Sequence, residues 1–314
     1  MKRIFQTTLI GLGIAGLVLV ACCRTPAARI SRTQWPVMGT IAALSIRGGD
    51  DADGSLQASA QAIYLHLESR LSAWNPDSEL SRLARTDSTN WLSNVSADVR
   101  PCYDTAFELA DRSSRAFNPA VGVKLRELGV SGGSAYSDID LGAIAKGFAV
   151  DRVATAIESH AETPPLLVDL GGNLRVVGPG SWRTGIRNPF GADCAAVIVL
   201  TNGESAATSG NYERFIERDG IRYSHILDGR TGEPTHGIAG VTVVTPRELG
   251  ATLADGLSTT LFVLGPQAGT AFLERWYPTA CALWIPDTPE TPHLIATPRM
   301  AQRLEDCRWD VRTP

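Results

Sequence analysis

The chain has 314 residues, 44% of them hydrophobic and 20% charged, and a formal net charge of −4. This length and balance describe one large folded domain or two smaller ones with a real core, and exclude a disordered or low-complexity chain. The charge offers no general attraction to nucleic acid, which is not an expected partner; any phosphate binding must come from a local site.

The N-terminus reads as a leader. Lys2 and Arg3 precede an apolar run, Leu9 to Ala21, too short to span a membrane comfortably but suited to a secretory signal. The run closes on LVAC, Leu19 to Cys22, which matches the lipobox of bacterial lipoproteins. The expectation is a signal peptide over residues 1–21, then membrane attachment through lipid on Cys22. An ordinary signal peptide or an uncut anchor is the alternative. The mature chain would then lie on the extracytoplasmic side, in the periplasm. Cys23, rather than an aspartate, follows the lipidated position and points toward the outer membrane. Residues 22–34 read as a lipid-anchored tether and residues 35–314 as the folded domain. In an oxidising compartment Cys102, Cys194, Cys281 and Cys307 either form up to two disulfides or stand as buried thiols; none has metal-type C-x-x-C spacing.

The elements follow in chain order. MGTIAALSIRG alternates as a strand ending at Gly48–Gly49. Ser55 to Ala73 has helical spacing, with Ile63, Leu65, Leu67 and Leu71 among its apolar residues. NPDSE, Asn75 to Glu79, is a turn that caps a short helix through Asp77 or Ser78. A second long helix is expected from Ala97 to Arg115. DIDLGAIAKGFAVD, Asp138 to Asp151, reads as a short strand, a glycine, and a helix with one early lysine. That lysine, Lys146, is either aimed at an anion or solvated. Pro165 to Pro189 reads as strand, double glycine, strand, turn, strand; AAVIVL, GIRYSHILD and AGVTVVTP add further strands. Gly250 to Gly265 forms an amphipathic helix, and a last strand or two precede a polar tail. The four strands between Leu166 and Leu200 have short links, which favours antiparallel pairing. With no steady β-α-β alternation, the fold class is α+β: mixed, largely antiparallel sheets packed with helices in one two-layered unit.

Several residues could carry chemistry. Asp255 and Thr259 are four apart and share one face of an otherwise apolar helix. A carboxylate and a hydroxyl there either hold a hard cation such as Mg²⁺ or form a solvated face. His225 lies in an expected strand, with Asp228 at the following turn; it is a general base, a hydrogen-bond donor or a structural histidine. DLGGN, Asp169 to Asn173, is either a nucleotide-contacting turn or a plain hairpin. Trp74 beside a turn either stacks on a flat ligand ring or belongs to the core or rim.

Taken together and in order, MGT, LSAWNPDSELSRL, FNPAVG, DLGAIAKGFAVD, LVDLGGNL, TSGNYERF, HILDGRTGEP and ADGLSTTLFVLG closely resemble the ApbE family, the FAD:protein FMN transferases, over Trp35 to Gly265. The resemblance implies an enzyme that uses FAD and Mg²⁺, transfers FMN to a Ser or Thr hydroxyl of a target protein, and releases AMP. It implies Met38 and Trp74 flanking the isoalloxazine, with Phe117, Asn118 and Pro119 lining the pocket. Asp140, Lys146, Asp169, Gly171, Gly172 and Ile226 would also contact the cofactor. The backbone carbonyl of Ala143, Asp255 and Thr259 would hold the metal. His225 would deprotonate the acceptor hydroxyl, with Asp228 in its H-x-x-D motif. The implied partners are FAD and acceptor redox proteins bearing a short flavinylation motif.

Four positions depart from the family pattern. Gly229 replaces the proline of HIIDP, which is expected to loosen the turn carrying Asp228. Ala84 stands where an asparagine often closes SELSRLN. FDPTV becomes FNPAV, which is expected to weaken polar contacts to the flavin or its ribose. Two other readings share the scaffold: an Mg²⁺-dependent FAD pyrophosphatase giving FMN and AMP, and a non-catalytic flavin-binding lipoprotein. An asparagine at the position of Trp74 would favour hydrolysis, so Trp74 favours transfer.

Overall fold

The computed structural model describes residues 29–85, 91–128, 138–159, 164–211, 215–218 and 221–314. The leader, the lipobox and Cys22 lie outside the described residues.

The first described strands, β1 (Ile30–Val37) and β2 (Thr40–Arg47), form a hairpin turned by Met38 and Gly39. Both turn residues have positive φ, 50° and 67°, the combination that matches the twist of a tight hairpin. Sheet structure thus begins at Ile30, inside the stretch expected to be a tether. Helix α1 (Ser55–Leu71) buries Ala60, Tyr64, Leu67 and Leu71, one stripe at helical spacing. Ser78, rather than Asp77, caps α2 (Glu79–Leu83) by accepting from the Ser81 N–H at 3.0 Å; Ala84 is its exposed C-cap. Helix α3 (Arg100–Arg112) is shorter at both ends than its pattern suggested. Two further helices, α4 (Gly122–Glu127) and α5 (Ala145–Glu158), precede the strand-rich half.

That half contains β3 (Leu166–Leu170), β4 (Asn173–Val177), β5 (Ser181–Arg187), β6 (Cys194–Thr201), β7 (Ser205–Gly210), β8 (Phe215–Arg218), β9 (Ile221–Ser224) and β10 (Ile238–Thr245). Then come α6 (Gly250–Trp276), β11 (Cys281–Pro286), β12 (Leu294–Ala296), α7 (Pro298–Ala301), β13 (Leu304–Glu305) and β14 (Val311–Arg312). Nine strands form one sheet in the order β1-β2-β3-β4-β7-β10-β11-β12-β14, with every neighbour antiparallel except β12 and β14. The α+β class with largely antiparallel sheets is what the structure shows.

The layers differ from expectation. Leu166, Val168 and Leu170 face a helical layer with residues of α1, α3, α5 and α6, while Leu167 faces the other way. There β5, β6 and β13 form a separate three-stranded sheet, and Trp182, Ile186, Ile198 and Leu200 close a second core against the main sheet. The molecule therefore has three layers, not two. Strands β3, β4, β10 and β11 are buried along their whole length because both faces are covered. Helix α6 also outruns its expected end. Gly265, at φ 72° and ψ 179°, breaks the helix, and Pro266 restarts it toward Trp276. Cys102, Cys194, Cys281 and Cys307 are free thiols, Cys102 and Cys281 buried. Among the described residues no helix is long and apolar enough to cross a membrane.

Candidate active site

A cavity of about 580 Å³ opens over the helical edge of the main sheet. It is lined by the β1–β2 turn, the end of α1, residues 116–118, the start of α5, the end of β7, the loop after β9, and α6. It gathers Met38, Trp74, Phe117, Asn118, Asp140, Ala143, Lys146, Gly171, His225, Ile226, Asp255 and Thr259 from segments far apart in sequence. Pro119, Asp169, Gly172 and Asp228 do not line it.

The crossing of α5 and α6 sets the acidic corner. A Cβ on Gly147 would lie 2.2 Å from the Ala251 carbonyl oxygen and 2.7 Å from the Asp255 Cβ, so only glycine lets the helices meet this closely. The buried backbone N–H of Gly147 donates to Asp255 Oδ2 at 2.9 Å. Asp151 clamps the same crossing one turn earlier. Its Oδ1 accepts from the Ala251 N–H at 2.8 Å and from Arg175 at 2.7 Å; its Oδ2 accepts from the Thr252 N–H at 2.8 Å and hydroxyl at 2.6 Å. This satisfies the first orphan amides of α6 and places Asp255 one turn further on. Gly147 and Asp151 went unassigned in the sequence because their roles depend on a partner helix a hundred residues away. The small-residue run AKGFA facing LADG was the available signal.

Asp255 is only 5% exposed. Burial pushes its carboxyl up, while Lys146, the Gly147 N–H and the Asn173 amide pull it back. Lys146 Nζ stands 4.0 Å from Asp255 Oδ2 and donates to the Gly142 carbonyl at 2.9 Å. Asp140, two residues before Gly142, accepts from its N–H at 2.7 Å. Among the described residues, Glu68, Asp140 and Asp255 line the cavity against one lysine. A diphosphate entering there would meet more negative than positive charge unless a cation came with it.

The donor set suits such a cation. Among the described residues no three His, Cys, Asp or Glu side chains converge on a metal-type site. The lining instead includes Asp255, Thr259 and Ala143, which can offer a carboxylate, a hydroxyl and a backbone carbonyl. Hard oxygen donors, few in number, are what Mg²⁺ takes from a protein when phosphates and water complete its shell. The residues fit that ion.

His225 is not within a strand. It follows β9 at a bend, and Ser224 Oγ accepts from the Ile226 N–H at 3.0 Å. The Thr235 N–H and hydroxyl both donate to the Ile226 carbonyl, at 3.0 and 2.8 Å, and hold the histidine segment at the cavity wall. Asp228 does not serve the cavity. Its carboxylate accepts from the Arg230 N–H, Nε and Nη2 at 2.9, 2.8 and 2.6 Å. Arg230 holds that carboxyl below the usual range, and the group braces the turn. Nor does Gly229 loosen this turn. Its N–H donates to the Ala116 carbonyl at 3.1 Å, and its own carbonyl accepts from Asn118 Nδ2 at 3.0 Å. A Cβ there would lie 2.3 Å from the Asn118 Cβ. Two departures from the family pattern are thus one contact. Asn118 Oδ1 also accepts from the Ala120 N–H at 2.9 Å, so both ends of its amide are engaged within the fold.

The DLGGN turn is a plain hairpin. The Gly171 N–H goes to the Ile41 carbonyl at 3.0 Å and the Gly172 N–H to Asp169 Oδ1 at 3.0 Å, which leaves neither for a ligand. Asp169 shares a sheet face with Leu167, opposite the helices, and pairs with Arg32 at 3.1 Å. Pro119 contributes its carbonyl to the Asp140 N–H at 2.7 Å. Trp74 stands at the rim, 49% exposed, with Met38 also on the wall. Ser209 of β7 is a wall residue that the sequence reading passed over.

Known proteins share this architecture. The ApbE family model matches residues 38–137 and 125–284. A Treponema pallidum protein named FAD:protein FMN transferase is 33% identical over 306 residues, covering 79% of this chain and 82% of its own. A Vibrio cholerae protein of the same name is 29% identical and covers 83% of this chain and 89% of its own. The solved flavin transferase ApbE from Vibrio cholerae superposes with a TM-score of 0.74 at 25% identity, over 88% of this chain and 99% of its own. The apo flavinyl transferase ApbE from Pseudomonas stutzeri gives 0.71 at 25% identity, over 88% and 97%.

Proposed function

Because the chain belongs to the ApbE family, we propose that it transfers FMN from FAD to a Ser or Thr hydroxyl of an acceptor redox protein and releases AMP. The observation that carries this reading is the meeting, in one cavity of about 580 Å³, of His225, Lys146, Asp255 and Thr259, with Trp74 at its rim.

The step is a phosphoryl displacement. The acceptor oxygen bonds to the phosphorus of the FMN half, the bridging P–O bond breaks, and AMP leaves with the bridging oxygen. His225 accepts the hydroxyl proton, since an alcohol is a poor nucleophile at neutral pH. The product is a phosphoester-linked flavin. Lys146 lies beside the acidic corner and meets the diphosphate. Asp255, Thr259 and the Ala143 carbonyl would hold Mg²⁺, which when bound neutralises charge on the phosphates. Phe117 and Met38 offer the flavin an apolar wall and Trp74 a stacking face. We further propose that lipid on Cys22 tethers the enzyme on the periplasmic side; the leader sequence supports this.

Incubating the protein with FAD, Mg²⁺ and an acceptor domain tests the reading by intact mass. The expected result is an acceptor heavier by one FMN, with AMP released in equal amount. FMN and AMP without an adduct would make the chain a pyrophosphatase, and intact FAD throughout would overturn enzymatic activity.

A further inference from the structure

We propose that Ser209 is a positioning residue that fixes the direction of the Thr259 hydroxyl, turning its oxygen lone pairs toward a hard cation at the acidic corner. The inference rests on the cation-dependent reading above.

The argument is a count of hydroxyl protons. A serine or threonine hydroxyl has one proton to donate and two lone pairs with which to accept. Ser258 Oγ lies 2.8 Å from the main-chain carbonyl of Asp255, which can only accept, so the Ser258 proton is committed there. Ser209 Oγ lies 2.7 Å from Ser258 Oγ. With the Ser258 proton already used, Ser209 must donate across that contact. Ser209 Oγ also lies 3.1 Å from Thr259 Oγ1. Its own proton is now spent, so it accepts from Thr259. The chain therefore runs one way, from Thr259 to Ser209 to Ser258 to the Asp255 carbonyl.

The consequence falls on Thr259. A neutral hydroxyl can bind a cation only if its proton points away, and Ser209 takes that proton. Thr259 Oγ1 then presents lone pairs, not a proton, to the cavity it lines with Asp255. The relay crosses from β7 to α6. Ser258 is fully buried and does not line the cavity, so its own hydroxyl does not meet the ion. Partners that orient a metal ligand from behind typically change metal affinity by about 10- to 100-fold when removed.

The test is calorimetric titration of Mg²⁺ into the FAD-saturated full chain without acceptor, read against an FAD blank because phosphates complete the ion's shell, alongside the thermal midpoint without the ion. Ser209→Ala is expected to weaken Mg²⁺ binding by about tenfold or more with little change in that midpoint. Ser209→Thr keeps the hydroxyl and is expected to stay within about threefold of the parent. Ser258→Ala frees the Ser209 proton to point back at Thr259 and is expected to weaken binding several-fold, although Ser258 never meets the ion. Ser209→Ala binding within about twofold of the parent would overturn the proposal. So would Ser209→Thr as weak as Ser209→Ala. A parent chain that binds no Mg²⁺ would instead overturn the cation reading on which it rests.

Discussion

The main sheet buries one aspartate on each face, and the contrast between them separates framework from site. Both carboxyls are pushed up by burial. On the face away from the helices, Asp169 is enclosed, with Arg32 at 3.1 Å on one oxygen and the Gly172 N–H at 3.0 Å on the other. On the helical face, Asp255 has the Gly147 N–H at 2.9 Å and an ammonium no closer than 4.0 Å, and it opens on a cavity. A buried charge is costly unless compensated. Asp169 is compensated within the fold, whereas Asp255 is arranged to be completed from outside. Depth of burial therefore does not identify a functional carboxylate; what stands opposite it does.

Substitutions that exchange the two behaviours should break this contrast. Asp255→Asn is expected to lower the transfer rate by about a hundredfold or more while leaving the thermal midpoint intact or higher, measured as AMP release and by thermal unfolding. His225→Gly should cost about 10²–10⁴ in transfer yet leave FAD affinity, followed by flavin fluorescence, near the parent value. Unchanged transfer would remove its assigned role. Asp169→Ala should show the reverse pattern. Stability should fall by about 1–3 kcal/mol in urea unfolding, because Arg32 loses its partner, while the rate per folded molecule holds.

Smaller effects sharpen the picture around the histidine. Gly229→Ala forces a Cβ against Asn118 and the Arg115 and Ala116 carbonyls, and should cost about 1–3 kcal/mol of stability. It should also lower the transfer rate more than it changes FAD affinity, since the displaced loop carries His225. The smallest effect is the pH dependence of the Asp228–Arg230 brace. Hydrogen bonds from Arg230 hold the Asp228 carboxyl below its ordinary value of 3.8. The stability from this pair is therefore present above that value and lost as pH falls through the lowered one. Arg230→Leu should lower the thermal midpoint slightly at neutral pH, as expected of a half-exposed pair, and the difference should close in acid.

Much of the architecture was legible because periodicity reports burial on one face. The α1 helix and the polar interruption of α6 by Asp255 and Thr259 were both readable from spacing, although of the apolar residues named for α1 only Leu67 and Leu71 join the buried stripe and Leu65 is exposed. The second sheet was not, because LLVDL and NLRVV place apolar residues on both faces, with Asp169 on one and Asn173 and Arg175 on the other, so polarity marks no single solvent side. The same ambiguity hid the orientation of Asp169, which one residue of phase turns from the cavity to the opposite layer. Asp228 misled differently. The family resemblance grouped it with His225 in an H-x-x-D motif, but Arg230 two residues on engages the carboxylate. Gly147 and Ser209 act through α6, more than 100 residues and about 50 residues away respectively; the small residues around Gly147 hint at a close approach, but local pattern does not say to which partner.

The most direct test of the central claim is a crystal structure with FAD and Mn²⁺, in which anomalous scattering locates the ion. The expected result is an ion bonded to an Asp255 carboxylate oxygen, Thr259 Oγ1 and the Ala143 carbonyl at about 2.0–2.2 Å, touching the diphosphate, with His225 on the side open to an acceptor. An ion bound elsewhere, or a diphosphate seated away from Asp255, would contradict it.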